Sequence, residues 1–166
     1  MAGHLWVGWD EYHRHIEQLA RNVHDSGYRF DHVLCLARGG LRIGDVFSRL
    51  FKVPLHIQST SSYREAAGTQ QGELRIAGNI TSTAGPLAGR ILLIDDLVDS
   101  GVTLERVQAD LALRCRGVTE VRSAVIWYKA CSIMRPDYYV DYLPDSPWIH
   151  QPFEVYDEMT VDRLTG

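Results

Sequence analysis

The sequence predicts an α/β fold in which helices flank a mostly parallel sheet. Three observations predict it. Ile91-Leu92-Leu93-Ile94 is an unbroken aliphatic run, as a strand covered on both faces requires, and it leads straight into Asp95-Asp96. A second apolar run over 32–37 is followed by Arg38-Gly39-Gly40, a helical pattern and another apolar run, which together make a strand, turn, helix, strand unit. The 166 residues, 45% hydrophobic and 23% charged, suit one domain with a full core.

Each element has a local reason. Asp10 can cap a first helix whose Tyr12, Ile16, Leu19, Ala20 and Val23 share one face and which ends near Ser26-Gly27. The strand over 32–37 comes next, then a helix from about Leu41 to Phe51 and a strand over 53–58. Ser59-Thr60-Ser61-Ser62-Tyr63 opens a polar segment through Ala66, Gly68 and Gln70 to Gly72; such composition cannot bury itself and is expected to move. Glu73-Leu74-Arg75-Ile76 resumes a strand-like pattern. A helix runs from Leu104 through Leu113, strands cover 121–128 and 138–140, and Pro144, Pro147 and Pro152 keep the last stretch irregular.

Composition narrows the function. Seventeen basic against 21 acidic residues give a net charge of −4 with no basic block, so a nucleic-acid partner is not expected. Cys35, Cys115 and Cys131 form no C-x-x-C pair, no run reaches the ~20 apolar residues of a membrane span, and residues 1–10 lack a signal-peptide plan. The expectation is a cytoplasmic protein with reduced thiols and no transmembrane segment. His13 and His15 are two apart and cannot share a helix face, and no H-E-x-x-H occurs, so no zinc site is assigned.

The chemistry concentrates after the aliphatic run. Asp95 and Asp96 sit at the carboxyl end of a parallel strand, where open α/β sheets place ligands. Asp99, Ser100, Gly101, Val102 and Thr103 then open a helix, where free N–H groups, the dipole and two hydroxyls favour an anion. An acid pair beside a phosphate cradle can hold hydroxyl groups and a divalent cation, and a ribose phosphate offers the hydroxyls. Arg38, Gly39 and Gly40 end a second strand on the same edge; the glycines let backbone amides approach closely and Arg38 neutralises charge, which fits a pyrophosphate. Lys129 ends a third buried run and can donate to a carbonyl oxygen, and Trp148, beside the extended backbone of Ile149, can stack on a flat heteroaromatic ring while that backbone reads its edge.

The run from Ile91 to Thr103 resembles the phosphoribosyl-pyrophosphate motif of the type I phosphoribosyltransferases. Lys129, the run Trp148-Ile149-His150-Gln151-Pro152-Phe153-Glu154 and the amino-terminal Trp9-Asp10 are similar to the corresponding parts of bacterial xanthine-guanine phosphoribosyltransferases. The resemblance implies a type I phosphoribosyltransferase fold across one domain of residues 1–166, with a core over about 28–140, a small hood from 1–10 and 141–166, and a mobile loop that closes over the reacting centre.

It also implies roles. Arg38, Gly39, Gly40, Asp95, Asp96, Asp99, Ser100, Gly101, Val102 and Thr103 would bind phosphoribosyl pyrophosphate, with Asp96 toward Mg²⁺. Lys129, Trp148 and Ile149 would bind the purine, and Asp99 would accept or relay a purine proton. In the Arg38-Gly39-Gly40 loop the peptide after the first motif residue would be cis. Close relatives carry a basic residue before the Glu73-Leu74 pair where this chain has Gly72, which leaves Arg64 and Arg75 as candidates for that role. The implied activity is purine salvage: transfer of 5-phosphoribosyl to guanine, xanthine or hypoxanthine by a homodimer or homotetramer. A phosphoribosyl-pyrophosphate-sensing regulatory protein and a transferase for another base, such as orotate, stay open at this point.

Overall fold

A computed structural model of the chain describes residues 3–64 and 71–164. In chain order the elements are β1 (His4–Trp6), α1 (Trp9–Asp25), β2 (His32–Ala37), α2 (Leu41–Phe51), β3 (Leu55–Arg64), β4 (Gln71–Ser82), β5 (Gly89–Ile94), β6 (Leu97–Val98), α3 (Val102–Arg114), β7 (Val118–Lys129), β8 (Tyr138–Leu143), β9 (Trp148–His150), α4 (Val155–Glu158) and a 3-10 turn at Val161–Arg163. The larger sheet is parallel throughout except for the antiparallel β3–β4 pair. β2 lies between β3 and β5, and β7 carries β8 on its other edge.

β5 and β6 are one strand interrupted by the acid pair. Ile94 pairs with Ala124 and Leu97 with Trp127, so the register on β7 is the same before and after Asp95-Asp96. The backbone keeps its ladder there, with Ile126 N–H donating to Asp96 C=O at 2.9 Å. Both carboxylates are therefore carried on a rigid strand rather than on a loop.

Side chains alternate across the sheet into two apolar layers. Val33, Cys35, Leu92, Ile94, Ala124 and Ile126 face Tyr12, Ile16, Leu19, Val23, Ile43 and Phe47 of α1 and α2. Leu34, Leu36, Ile91, Leu93 and Val125 face Leu104, Val107 and Leu111 of α3. None of these three helices has a side-chain N-cap hydrogen bond. A cap contributes about 1 kcal/mol, whereas each buried aliphatic or aromatic side chain contributes roughly 1.5–3 kcal/mol, so the apolar faces and not the ends hold the helices.

Three expectations need correction. Gly8, not Asp10, is the N-cap of α1, and Asp10 lies in the first turn, where its charge complements the helix dipole. The polar segment begins as an extension of β3 to Arg64, paired antiparallel with β4, because Thr60, Ser61 and Ser62 find partners in Ile76, Arg75 and Leu74. The expected mobile residues Ala66 to Gln70 lie outside the described residues. The carboxyl-terminal stretch is not wholly irregular: β9 pairs parallel with β1, His4 opposite Trp148 and Trp6 opposite His150, so both ends of the chain build one small sheet.

Candidate active site

Two turns and the acid pair meet at the carboxyl ends of β2, β5 and β6. The turn after β2 holds the Arg38-Gly39-Gly40 sequence, and its cis peptide lies between Ala37 and Arg38, one bond before the position expected from the resemblance. Gly40 N–H donates to Leu36 C=O at 2.8 Å. A Cβ on Gly39 would stand 2.6 Å from Asp96 Cγ, so only glycine allows this backbone to lie against that carboxylate. The turn read as a pyrophosphate loop and the acid pair thus touch.

The pair is electrostatically asymmetric. Asp96 accepts Leu97 N–H at Oδ1, 2.8 Å away, and takes a short hydrogen bond at Oδ2 from Gln151 Nε2. Asp95 Oδ1 accepts Asp96 N–H at 3.0 Å. Burial, and next the neighbouring Asp96 charge, push the Asp95 carboxyl well above the usual carboxylate range. A second negative charge is disfavoured here unless a cation or a hydroxyl donor joins the pair.

The second turn contains Asp99 to Gly101. Gly101 adopts φ +83 as the residue before α3, and a Cβ there would stand 2.5 Å from Ser132 Oγ and 2.8 Å from Met134 N. Ile133 N–H donates to Ser100 C=O at 2.9 Å, pinning the turn to the segment after β7. Ser100 Oγ accepts Val102 N–H at 3.4 Å, and the first helical bond is Glu105 N–H to Gly101 C=O, so the N–H groups of Thr103 and Leu104 have no helical acceptor. Lys129, 7% exposed at its side chain, places Nζ 3.4 Å from Asp99 Oδ1. Cys131 Sγ lies 3.4 Å from the same oxygen.

β9 joins this edge through Gln151. Trp148 N–H donates to Gly3 C=O and Val7 N–H to His150 C=O, at 2.9 and 3.0 Å. Successive residues of a strand point their peptide groups to opposite sides, so Ile149 turns its N–H and C=O away from β1, on a side where no other strand pairs among the described residues. Its side chain is buried in the core. His150 is tied to β1 by a 2.8 Å contact with His4 and by a stacked Trp6. Arg38, Gly39 and Asp96 share a cleft of about 920 Å³ with Arg42, Gln151 and Phe153 among others, whereas Asp99 to Thr103, Lys129, Trp148 and Ile149 do not line it.

Gln151 and Phe153 lie in the run that resembles the purine-recognising part but carry no assigned role there, and nothing in the sequence marks Arg42, four residues from Arg38. The structure sets its guanidinium 4.4 Å from the centre of the Phe153 ring. Arg38 itself reaches Asp157 of α4 at 3.4 Å. The side chain of Arg64 lies outside the described residues.

The sequence profile of the phosphoribosyl transferase domain matches residues 8–158. The chain belongs to this family. This phosphoribosyltransferase is 25% identical over 153 residues to the xanthine-guanine phosphoribosyltransferase of Idiomarina loihiensis, covering 92% of this chain and 88% of that one. Its fold superimposes on a purine phosphoribosyltransferase from Pyrococcus horikoshii Ot3 with a TM-score of 0.73 at 26% identity, covering 90% and 93% of the two chains. The Helicobacter pylori xanthine-guanine-hypoxanthine phosphoribosyltransferase shares the fold at a TM-score of 0.73 and 24% identity, over 93% of this chain and 96% of that one. As a phosphoribosyltransferase the chain is a glycosyltransferase acting on a pentosyl group.

The family generally uses Mg²⁺ with phosphoribosyl pyrophosphate, and the donor set fits that ion. Asp95 and Asp96 offer hard carboxylate oxygens, and their mutual repulsion favours a cation. Among the described residues no group of three or more His, Cys, Asp or Glu is arranged to hold a metal. Mg²⁺ suits such a site because it binds through one or two carboxylates and completes its shell with water and substrate phosphate oxygens. No helix among the described residues is long and apolar enough to cross a membrane.

Proposed function

We propose that the chain transfers the 5-phosphoribosyl group from phosphoribosyl pyrophosphate to a ring nitrogen of a 6-oxopurine, releasing pyrophosphate and forming a nucleoside monophosphate. The observation that supports this reading is the contact between Gly39 and Asp96, by which the Arg38-Gly39-Gly40 turn lies against the acid pair on one sheet edge. The names of the relatives from Idiomarina and Pyrococcus support a purine as acceptor.

Roles follow from position. Asp95 and Asp96 hold the ribose hydroxyls, with Asp96 toward Mg²⁺. The N–H groups and hydroxyls of Ser100, Gly101, Val102 and Thr103 hold the 5-phosphate, and Arg38, Gly39 and Gly40 hold the pyrophosphate. Lys129 donates to the exocyclic oxygen at position 6, Trp148 stacks on the ring, and the outward peptide groups of Ile149 read its edge. The C1–O bond to pyrophosphate breaks with its electron pair leaving on pyrophosphate, and the purine nitrogen forms the new C1–N bond. Mg²⁺ when bound supplies charge neutralisation at the leaving group. Asp99 takes the purine proton, and the Lys129 ammonium beside it balances the charge developing on the purine oxygen.

A substrate panel tests the reading: guanine, xanthine, hypoxanthine and orotate with phosphoribosyl pyrophosphate and Mg²⁺, monitored by pyrophosphate release. Release is expected with at least one 6-oxopurine and not with orotate. Tight binding of the activated sugar without release for any base would identify a sensor instead.

A further inference from the structure

Gln151 follows β9 directly and reaches from the strand that carries Trp148 and Ile149 to the acid pair. It is 5% exposed, and its Nε2 donates to Asp96 Oδ2. With Leu97 N–H on Oδ1, Gln151 on Oδ2 and the Gly39 backbone alongside, both oxygens of the Asp96 carboxylate are held while the residue still lines the cleft. The other end of the same amide, Oε1, is buried with no donor among the described residues, and the nearby Tyr12 hydroxyl is buried in the same condition. Tyr12 packs edge-on against Phe153, two residues beyond Gln151. A glutamine that spends its donor on a carboxylate and leaves its acceptor bare contributes little to its own burial. A hydrocarbon side chain of similar length would fill the space without orphaning an oxygen. What glutamine alone adds is a fixed direction for Asp96 Oδ2.

We propose that Gln151 is a positioning residue for phosphoribosyl transfer that acts through Asp96. It holds the carboxylate in the orientation the pentose meets, and it makes that orientation depend on the strand carrying the base-reading residues. The inference rests on the transfer reading above and assigns a role to a residue outside the sets named there.

The test is calorimetric titration of the full chain with phosphoribosyl pyrophosphate and Mg²⁺ in the absence of base, together with KM for each substrate. The proteins compared are the wild type, Gln151→Ala, Gln151→Glu, Asp96→Ala and the Asp96→Ala/Gln151→Ala double variant. Removing an outer partner of a metal-directed carboxylate typically costs about tenfold to a hundredfold, and that loss is expected in phosphoribosyl-pyrophosphate affinity, with a smaller change in purine KM. Glutamate preserves the packing but sets an acid against an acid, so Gln151→Glu is expected to lose at least as much as Gln151→Ala and decides the matter if the alanine variant does not fold. Because the effect passes through Asp96, the double variant is expected to bind no more weakly than Asp96→Ala alone. Three results overturn the inference: losses that multiply in the double variant, Gln151 variants that alter only purine KM, or Gln151 variants that bind as the wild type does. If the wild type fails to bind phosphoribosyl pyrophosphate, the transfer reading itself falls. Wild-type binding with unaffected Gln151 variants removes only the role of Gln151.

Discussion

Trp148 leaves 47% of its surface exposed on β9, one residue before the outward peptide groups of Ile149. Stacking on a nucleobase contributes about 1 to 3 kcal/mol per aromatic side chain, so Trp148→Ala is expected to weaken purine binding by that amount. Phosphoribosyl-pyrophosphate affinity should hardly change, because the acid pair and the two phosphate turns are carried by other strands. Separate titrations with each substrate check this, and an unchanged purine affinity would leave the stacking role without support. At this scale the sequence was informative where a residue type is tied to a backbone demand. Gly39 and Gly101 each sit where a Cβ would collide, and the aliphatic run fixed the place of Asp95 and Asp96. Gln151 was not legible as a site residue. Its neighbours in the chain point to a base, while its partner Asp96 is 55 residues away and becomes its neighbour only when β9 pairs with β1.

At the scale of elements, β2 and β3 carry a histidine pair whose behaviour with pH can be worked out. His56 is fully buried, with Nε2 2.9 Å from His32 Nδ1. Burial, and next the proximity of His32, push its pKa down from 6.5 to about 4. The unfolded chain takes a proton on this ring near pH 6.5, whereas the folded chain refuses it until about pH 4. Between those values the unfolded state binds more protons, so this contribution is full above the window, is lost as pH falls through it, and levels off below. The loss is at most roughly 3 kcal/mol. Denaturant midpoints measured across that range should fall for the wild type and flatten in His56→Leu. A wild-type curve as flat as the variant's would mean that the ring is protonated in the fold. The elements themselves were legible in proportion to their apolar patterns: α2 has the expected bounds, and the five expected residues of α1 form its buried face. The extension of β3 beyond Gln58 was hidden because serine and threonine, which read as loop, satisfy an antiparallel ladder without burying a face.

For the whole molecule, the site is an edge assembled from residues at the ends of separate strands, in contact where Gly39 meets Asp96 and where Lys129 meets Asp99. Arg38 to Gly40 comes from β2, Asp95 to Thr103 from β5 and β6, and Lys129 from β7. A ligand that spans the first two should therefore stabilise the entire fold, since it binds only the folded arrangement. At a hundredfold excess over its Kd a ligand adds about 2.7 kcal/mol. For a chain of this size each kcal/mol moves Tm by about 2–4 °C, so phosphoribosyl pyrophosphate with Mg²⁺ is expected to raise Tm by roughly 5–10 °C. Mg²⁺ alone should leave Tm unchanged, because two carboxylates without a third protein ligand give the ion too little of its shell. Phosphoribosyl pyrophosphate with a chelator should fall between the two, retaining the phosphate contacts at Arg38 and Ser100 to Thr103 but losing neutralisation at Asp95 and Asp96. Calorimetric scans of the three mixtures distinguish these cases. A rise with Mg²⁺ alone as large as with both would mean a metal site already complete in the protein, and the acid pair would then be serving the ion before the sugar.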